Sequence, residues 1–186
     1  MQTTTTSLMN GIDTDGLRGT IAAITADPRR GTAEFRVKTE WGGGTRSETT
    51  VEGYSLGGER IARKFRFAAD EPTELFGANS APNPQELLMG ALNACMLVGW
   101  VANAALRGIR LDSLEIETEG RLDLRGFLGI DTKVPAGYET IRYRVRVRGS
   151  GTREQFAEIH DAVRATSPNY FNLSRPIVLD GELIVG

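Results

Sequence analysis

An α+β fold is what this 186-residue sequence predicts, and three observations predict it. Period-two alternation of apolar and polar residues marks strands in both halves of the chain. One nearly unbroken apolar stretch of about 24 residues marks a single long helix, roughly 36 Å long. Gly, Pro and Asn clusters divide these pieces so that strands follow strands and helices stand between groups of strands, the arrangement of antiparallel sheets around a long buried central helix rather than of alternating βα units.

Taken in order, residues 1–12 read as a flexible N-terminal arm. Met1 to Met9 is polar and threonine-rich, with neither the basic nor the apolar region of a signal peptide, as in a cytoplasmic protein. A helix is expected over residues 13–28: Leu17, Ile21 and Ile24 fall at i, i+4 and i+7, Asp13 or Thr14 can cap it, and Pro28 and Gly31 stop it. Residues 33–186 then read as one domain. Ala33 to Trp41 alternates, with Phe35, Val37 and Thr39 on one face. The Gly42–Gly44 run turns the chain, Arg46 to Tyr54 returns, Gly57-Gly58 turns again, and Ile61 to Ala68 completes a three-stranded meander.

The segment after "GANSAPNP" opens with Asn83 as a cap, Pro84 at the first helical position and Glu86 at the third, an Asn version of the capping box. From Leu87 to Leu106 it is apolar almost all round, which predicts burial on most sides, and Gly108 closes it. Strands are expected over Leu111 to Leu124 and Glu139 to Arg148, with a Gly-Phe-Leu-Gly loop tip between them. A second helix follows from Thr152 to Thr166, with the stripe Phe156, Ile159, Val163. Pro168 should end it, and Arg175 to Val185 should be a last strand.

Composition narrows the function. Apolar residues are 40% and charged residues 25%; 22 basic against 24 acidic side chains leave a formal charge of −2. That balance draws neither nucleic acid nor an anionic membrane by bulk charge, and no uninterrupted apolar run of membrane-spanning length is expected to cross a bilayer. A single cysteine, Cys95, excludes an intrachain disulfide and thiolate-rich zinc sites, and a single histidine, His160, removes most other metal sites; no metal and no cofactor is expected. His160 is spaced for the outer or flanking side of its helix, and Trp100 reads as an amphipathic ring for a dimer interface. No G-x-S-x-G motif supports a serine triad. Single-thiol chemistry, ligand binding and a structural dimer are what remain.

The stretch "FGANSAPNPQELLMGALNACMLVGWVANAALRGIRLDSLEIETEGRLDLRGFLGI" resembles the OsmC/Ohr superfamily. The likeness is carried by the Gly/Asn/Pro loop, the Pro-x-Glu-Leu-Leu helix opening, the Ala-Cys eleven residues past that proline, and the "L-x-x-L-x-I-x-x-E-G" strand after the helix-ending glycine. "TREQFAEIHDAVRATSPNYFNL" is similar to the second helix of the superfamily. The resemblance implies an OsmC-like fold in an intertwined homodimer, with each active site at the subunit interface. It also implies reduction of organic hydroperoxides by a peroxidatic cysteine, a second cysteine that resolves the sulfenic acid, and an assisting Arg–Glu pair.

Position by position, Cys95 matches the peroxidatic cysteine. The resolving position falls on Ser167, before Pro168. A serine cannot form a disulfide, so an external thiol or dithiol reductant is implied. The glutamate of the superfamily directly follows the helix-opening proline, where this chain has Gln85, with Glu86 one place later. Ten residues of straight helix set Gln85 about 15 Å along the axis from Cys95, and Glu86 reads first as a capping residue. Arg46, after the glycine turn, matches the assisting arginine. Asn169 to Asn172 could line a pocket near Ser167. Around Cys95 the helical neighbours Ala91, Leu92, Val98 and Gly99 are apolar, the setting of an inert thiol. Two readings therefore stand: a one-cysteine hydroperoxide reductase, and a non-catalytic small-molecule-binding or structural dimer on the same fold.

Overall fold

The computed structural model describes residues 8–186, so residues 1–7 of the expected arm lie outside it. The chain divides into two compact units, Met1–Gly90 and Ala91–Gly186.

In the first unit, residues 8–12 are a hairpin rather than the end of an arm. Strands β1 (Leu8–Met9) and β2 (Ile12–Asp13) pair across Asn10-Gly11, both at positive φ, the residue pair that two-residue hairpin turns favour. Helix α1 (Thr14–Ala26) follows, and the Asp13 carboxylate accepts from the N–H groups of Asp15 and Gly16. The meander has β5 (Ser47–Leu56) at its centre. Strand β6 (Glu59–Ala69) lies along one edge of β5, while β3 (Ala33–Phe35) and β4 (Lys38–Trp41) lie in series along the other.

The single strand expected over residues 33–41 is thus broken at Arg36–Val37. The cause is the register of β5. β3 pairs with Tyr54–Leu56 and β4 with Ser47–Thr50, and between these stretches β5 carries a bulge at Val51–Gly53. The apolar side chains Phe35, Val37, Trp41, Phe65 and Phe67 are exposed.

Helix α2 (Pro84–Leu106) begins in the first unit and runs mostly in the second. The second unit continues with β7 (Leu111–Gly120), the single turn α3 (Leu124–Phe127), β8 (Ile141–Gly149), α4 (Arg153–Thr166) and α5 (Pro168–Ser174). β7 and β8 form an antiparallel ribbon with Leu114 opposite Val147, Ile116 opposite Val145 and Thr118 opposite Tyr143. Its apolar face packs on the core cluster Leu92, Met96, Trp100, Ala104, Ile109, Ile159 and Val163. The opposite face alternates Glu115 and Glu117 with Arg144 and Arg146 in exposed ion pairs, which contribute little to stability in water. α4 starts with a reciprocal capping box between Thr152 and Gln155, worth about 1 kcal/mol.

Four expectations fail here for identifiable reasons. α2 is not buried on most sides: within one chain only the stripe Leu92, Met96, Trp100, Ala104 and Ala105 is buried, and Val98 is 69% exposed. By length and composition α2 is also long and apolar enough to cross a membrane, contrary to the expectation from uninterrupted apolar runs; its buried stripe packs into the core of the second unit. Trp100 belongs to that core, at 2% exposure, and so is unavailable to an interface. α4 does end at Thr166, before Pro168, as expected, and Ser167 then caps a further short helix with proline at its first position. Finally, residues 175–186 form no strand, and Val178, Leu179, Leu183, Ile184 and Val185 are exposed. Alternation and β-propensity specify the faces of a strand but supply no neighbour for its ladder.

Met96 is fully buried at the centre of this core. Met96→Ala should lower the unfolding free energy by about 2–5 kcal/mol, whereas Asn172→Ala on the exposed face of α5 should stay within about 0.5 kcal/mol of wild type. Urea unfolding followed by circular dichroism checks both.

Candidate functional site

The site of the second unit is built from two helix features. α2 presents Cys95, a partly exposed free thiol, immediately before the buried Met96. Ser167 sits at the junction of α4 and α5, where an extended backbone (φ −73°, ψ 118°) lets one residue close the first helix and cap the second. Its N–H donates to the Val163 carbonyl at 2.8 Å, and its Oγ accepts from the Tyr170 N–H at 3.4 Å. With its lone pair so engaged, the Ser167 hydroxyl donates to Cys95 Sγ at 3.3 Å. Ser167 is only 4% exposed. One residue beyond the proline, Asn169 Nδ2 donates to the Ala91 carbonyl at 2.9 Å, a second tie between α5 and α2 one turn from the thiol.

Cys95 therefore has a polar partner that its helical neighbours did not reveal. The signal available in the sequence was the Ser-Pro pair, a cap followed by a first-turn proline, which directs the serine side chain to the start of a following helix.

Behind this pair lies an aromatic cluster. His160, expected on the outer or flanking side of its helix, is half-buried. It stacks on Trp100 at 6.0 Å between ring centroids and shares a 2.9 Å hydrogen bond through Nε2 with the Tyr143 hydroxyl. Burial, with the Arg164 charge adding to it, pushes the His160 pKa down, and burial pushes that of Tyr143 up, so both rings are neutral at pH 7. Tyr143 meets Tyr170 edge-on, and Arg164 Nε donates to the Tyr170 hydroxyl at 3.2 Å. Leu92, Tyr138, Ile141, Tyr143, Tyr170 and Leu173 border a cavity of about 330 Å³. Tyr170 thus touches both the cavity and the residue that holds the thiol.

The other three site residues predicted from sequence lie in the first unit. Arg46 opens toward Ser80 and Glu48: Nη1 donates to Ser80 Oγ at 2.8 Å and Nη2 to Glu48 Oε1 at 3.1 Å. Glu86 Oε2 accepts from the Asn83 N–H at 2.7 Å and Asn83 Oδ1 from the Gln85 N–H at 2.7 Å. Glu86 is accordingly a capping side chain, and Gln85 enters that cap through its backbone. Asn83 is fixed in turn by the Glu71 carboxylate, which accepts from its Nδ2.

Sequence reasoning missed Asp70, a buried carboxylate in this unit. The Thr45 and Ser80 hydroxyls, then the Ser80 N–H, hold it well below the usual carboxylate range. Among the described residues no group of three or more His, Cys, Asp or Glu side chains is placed to hold a metal ion.

A long apolar helix bearing one cysteine, a two-stranded ribbon beneath it, and a second helix that returns a small polar residue to the thiol define a class of α+β proteins. The OsmC-like protein family model matches residues 77–182, more than half of the chain, and the chain belongs to that family. Among solved structures, the fold is similar to an OsmC-like protein from Mycoplasma pneumoniae, with a TM-score of 0.57 at 17% identity, over 76% of this chain and 87% of that one. It is also similar to an OsmC-like protein of unknown function from Vibrio cholerae, with a TM-score of 0.52 at 16% identity, over 74% and 92% of the two chains. These likenesses concern the fold. No curated protein matches the sequence.

The 3.3 Å approach of Ser167 Oγ to Cys95 Sγ needs only a side-chain adjustment to reach the ~2.05 Å of an S–S bond. Ser167→Cys, treated with a mild oxidant, should therefore form an intramolecular disulfide. Intact-mass spectrometry would show the loss of two hydrogens and of both free thiols. Two thiols that stay alkylatable after oxidation would show that this contact is not made in solution.

Proposed function

We propose that the protein is a one-cysteine hydroperoxide reductase of the OsmC-like family that draws its electrons from an external thiol or dithiol. The observation that carries this reading is the Ser167 hydroxyl donating to Cys95 Sγ. It aims a proton at the sulfur, in the position where a second cysteine would otherwise stand, and so supports a thiol that must be resolved from outside.

The chemistry balances as follows. The Cys95 thiolate attacks the terminal oxygen of ROOH; the O–O bond breaks, ROH leaves with one proton, and Cys95 becomes a sulfenic acid, oxidised by two electrons. A first external thiol condenses with it, releasing water and leaving a mixed disulfide. A second thiol attacks that disulfide, regenerates Cys95 and departs as an oxidised pair. In this reading Arg46 is the assisting cation, Gln85 and Glu86 stand at the position of the assisting carboxylate, and the cycle belongs in a reducing compartment such as the cytoplasm.

A homodimer belongs to the same proposal. Val98 on α2, Phe65 and Phe67 on β6 and the apolar C-terminal segment are exposed in one chain. Fully burying side chains of that size gains roughly 1.5–3 kcal/mol each, enough in aggregate to offset the cost of association. A second copy is the occupant that the intertwined arrangement calls for. Sedimentation should give twice the 20.2 kDa chain mass, and a monomer at micromolar concentration would remove any site shared between subunits.

A second reading, a non-catalytic binding protein, is favoured by the aromatic-walled cavity beside Tyr170. Stopped-flow mixing of the reduced protein with tert-butyl hydroperoxide, with mass spectrometry for a single added oxygen, separates the two. Reductase chemistry should oxidise Cys95 at least ~100-fold faster than a free thiol, with the reaction abolished in Cys95→Ser. Oxidation at the free-thiol rate would leave the binding reading in possession.

A further inference from the structure

Asp70 follows β6 and is 1% exposed. A buried carboxylate is tolerated only when its lone pairs are filled, and here all four are. Oδ1 accepts from Thr45 Oγ1 at 2.6 Å and from the Glu71 N–H at 2.9 Å. Oδ2 accepts from the Ser80 N–H at 3.0 Å and from Ser80 Oγ at 2.7 Å.

This fixes the direction of the next bond outward. A serine hydroxyl has one proton, and that of Ser80 is given to Asp70. Only its lone pairs remain, and Arg46 Nη1 donates to them at 2.8 Å. Thr45 immediately precedes Arg46, so one carboxylate grips both the backbone turn that carries the arginine and the hydroxyl that receives its guanidinium. Glu48 takes the other arm of the fork at 3.1 Å. The loop bearing Ser80 has little freedom to move away: the Asn79 N–H donates to the Glu71 carbonyl at 3.0 Å, and a Cβ at Gly77 would overlap that same carbonyl oxygen.

We propose that Asp70 is a positioning residue for Arg46: its buried carboxylate orients the Ser80 hydroxyl as an acceptor and pins Thr45, holding the guanidinium in one orientation. Asparagine cannot take its place. Whichever way the amide lies, its NH₂ faces a backbone N–H, that of Glu71 or that of Ser80. The function of this holding rests on the reading of Arg46 as the cation that serves Cys95, but the holding itself can be measured apart from any activity.

The experiment uses full-length protein labelled with ¹⁵N-arginine, with the Arg46 guanidinium signals assigned by their loss in Arg46→Lys. Wild type should show separate Nη resonances for Arg46, the signature of hindered rotation. Ser80→Ala and Asp70→Asn should each collapse them to an averaged signal, and Ser80→Thr, which keeps the hydroxyl, should restore them. Ser80→Ala leaves Asp70 in place and so decides the matter if Asp70→Asn does not fold. Resonances that stay resolved in Ser80→Ala, or that are lost equally in Ser80→Thr, overturn the proposal.

In the same samples, oxidation of Cys95 by tert-butyl hydroperoxide should slow by at least ~10-fold in Arg46→Ala. It should slow by a similar factor in Ser80→Ala, and no further in the double variant. If Arg46→Ala reacts as wild type does, the role of Arg46 in the reductase reading is lost, and the spectra alone uphold or overturn the holding by Asp70.

Discussion

The buried stripe of α2 is the constraint on which the second unit depends. Leu92, Met96, Trp100 and Ala104 recur every four residues and enter a core closed by Ile159 and Val163 of α4 and by the apolar face of the β7–β8 ribbon. The stripe fixes the rotation of α2 about its axis, and with it the direction in which Cys95, one residue before Met96, can point. The placement of α4 fixes where the chain stands when that helix ends. Ser167 arrives beside the thiol because both helices are clamped to one core, although 72 residues separate the two side chains along the chain.

Polar interactions then refine what packing positions. The Ser167 hydroxyl accepts from α5 and donates to Cys95, and Asn169 ties α5 to the Ala91 carbonyl. In the first unit the same logic runs through a charge. Asp70 is filled by four donors and turns Ser80 toward Arg46, while the adjacent Glu71 holds Asn83 at the start of α2. In each case a hydroxyl whose proton is committed on one side has a fixed polarity on the other. That fixes the orientation of side chains whose own torsions would leave them free.

Much of the fold was legible in the residues. The α1 cap, the capping box at Asn83–Glu86, the limits of α2 and the inward and outward faces of β7 and β8 all followed from local rules of period and capping. The failures were of another kind. Ser167-Pro168 stops α4 as its residues predict, but the start of α5 at the same place is hidden, because stop and start signals overlap in a single Ser-Pro pair. The strand over residues 33–41 breaks for a reason carried by its neighbour, the bulge in β5. Helical spacing puts His160 on an outer or flanking side but does not reveal that Trp100 and Tyr143 pack against it.

The sequence by itself determined which residues could bear chemistry: one thiol, one histidine, a serine beside a proline, and an arginine after a glycine turn. Composition and spacing are enough for that, since they state which functional groups exist and how far apart they lie along the chain. Only the tertiary structure decided which of these groups meet. The Ser167 contact to Cys95, the burial of Asp70 and the neutral His160–Tyr143 pair arise between segments joined by no local rule. Their physical cause is packing, which brings distant side chains within hydrogen-bond reach and removes the water that would otherwise satisfy them.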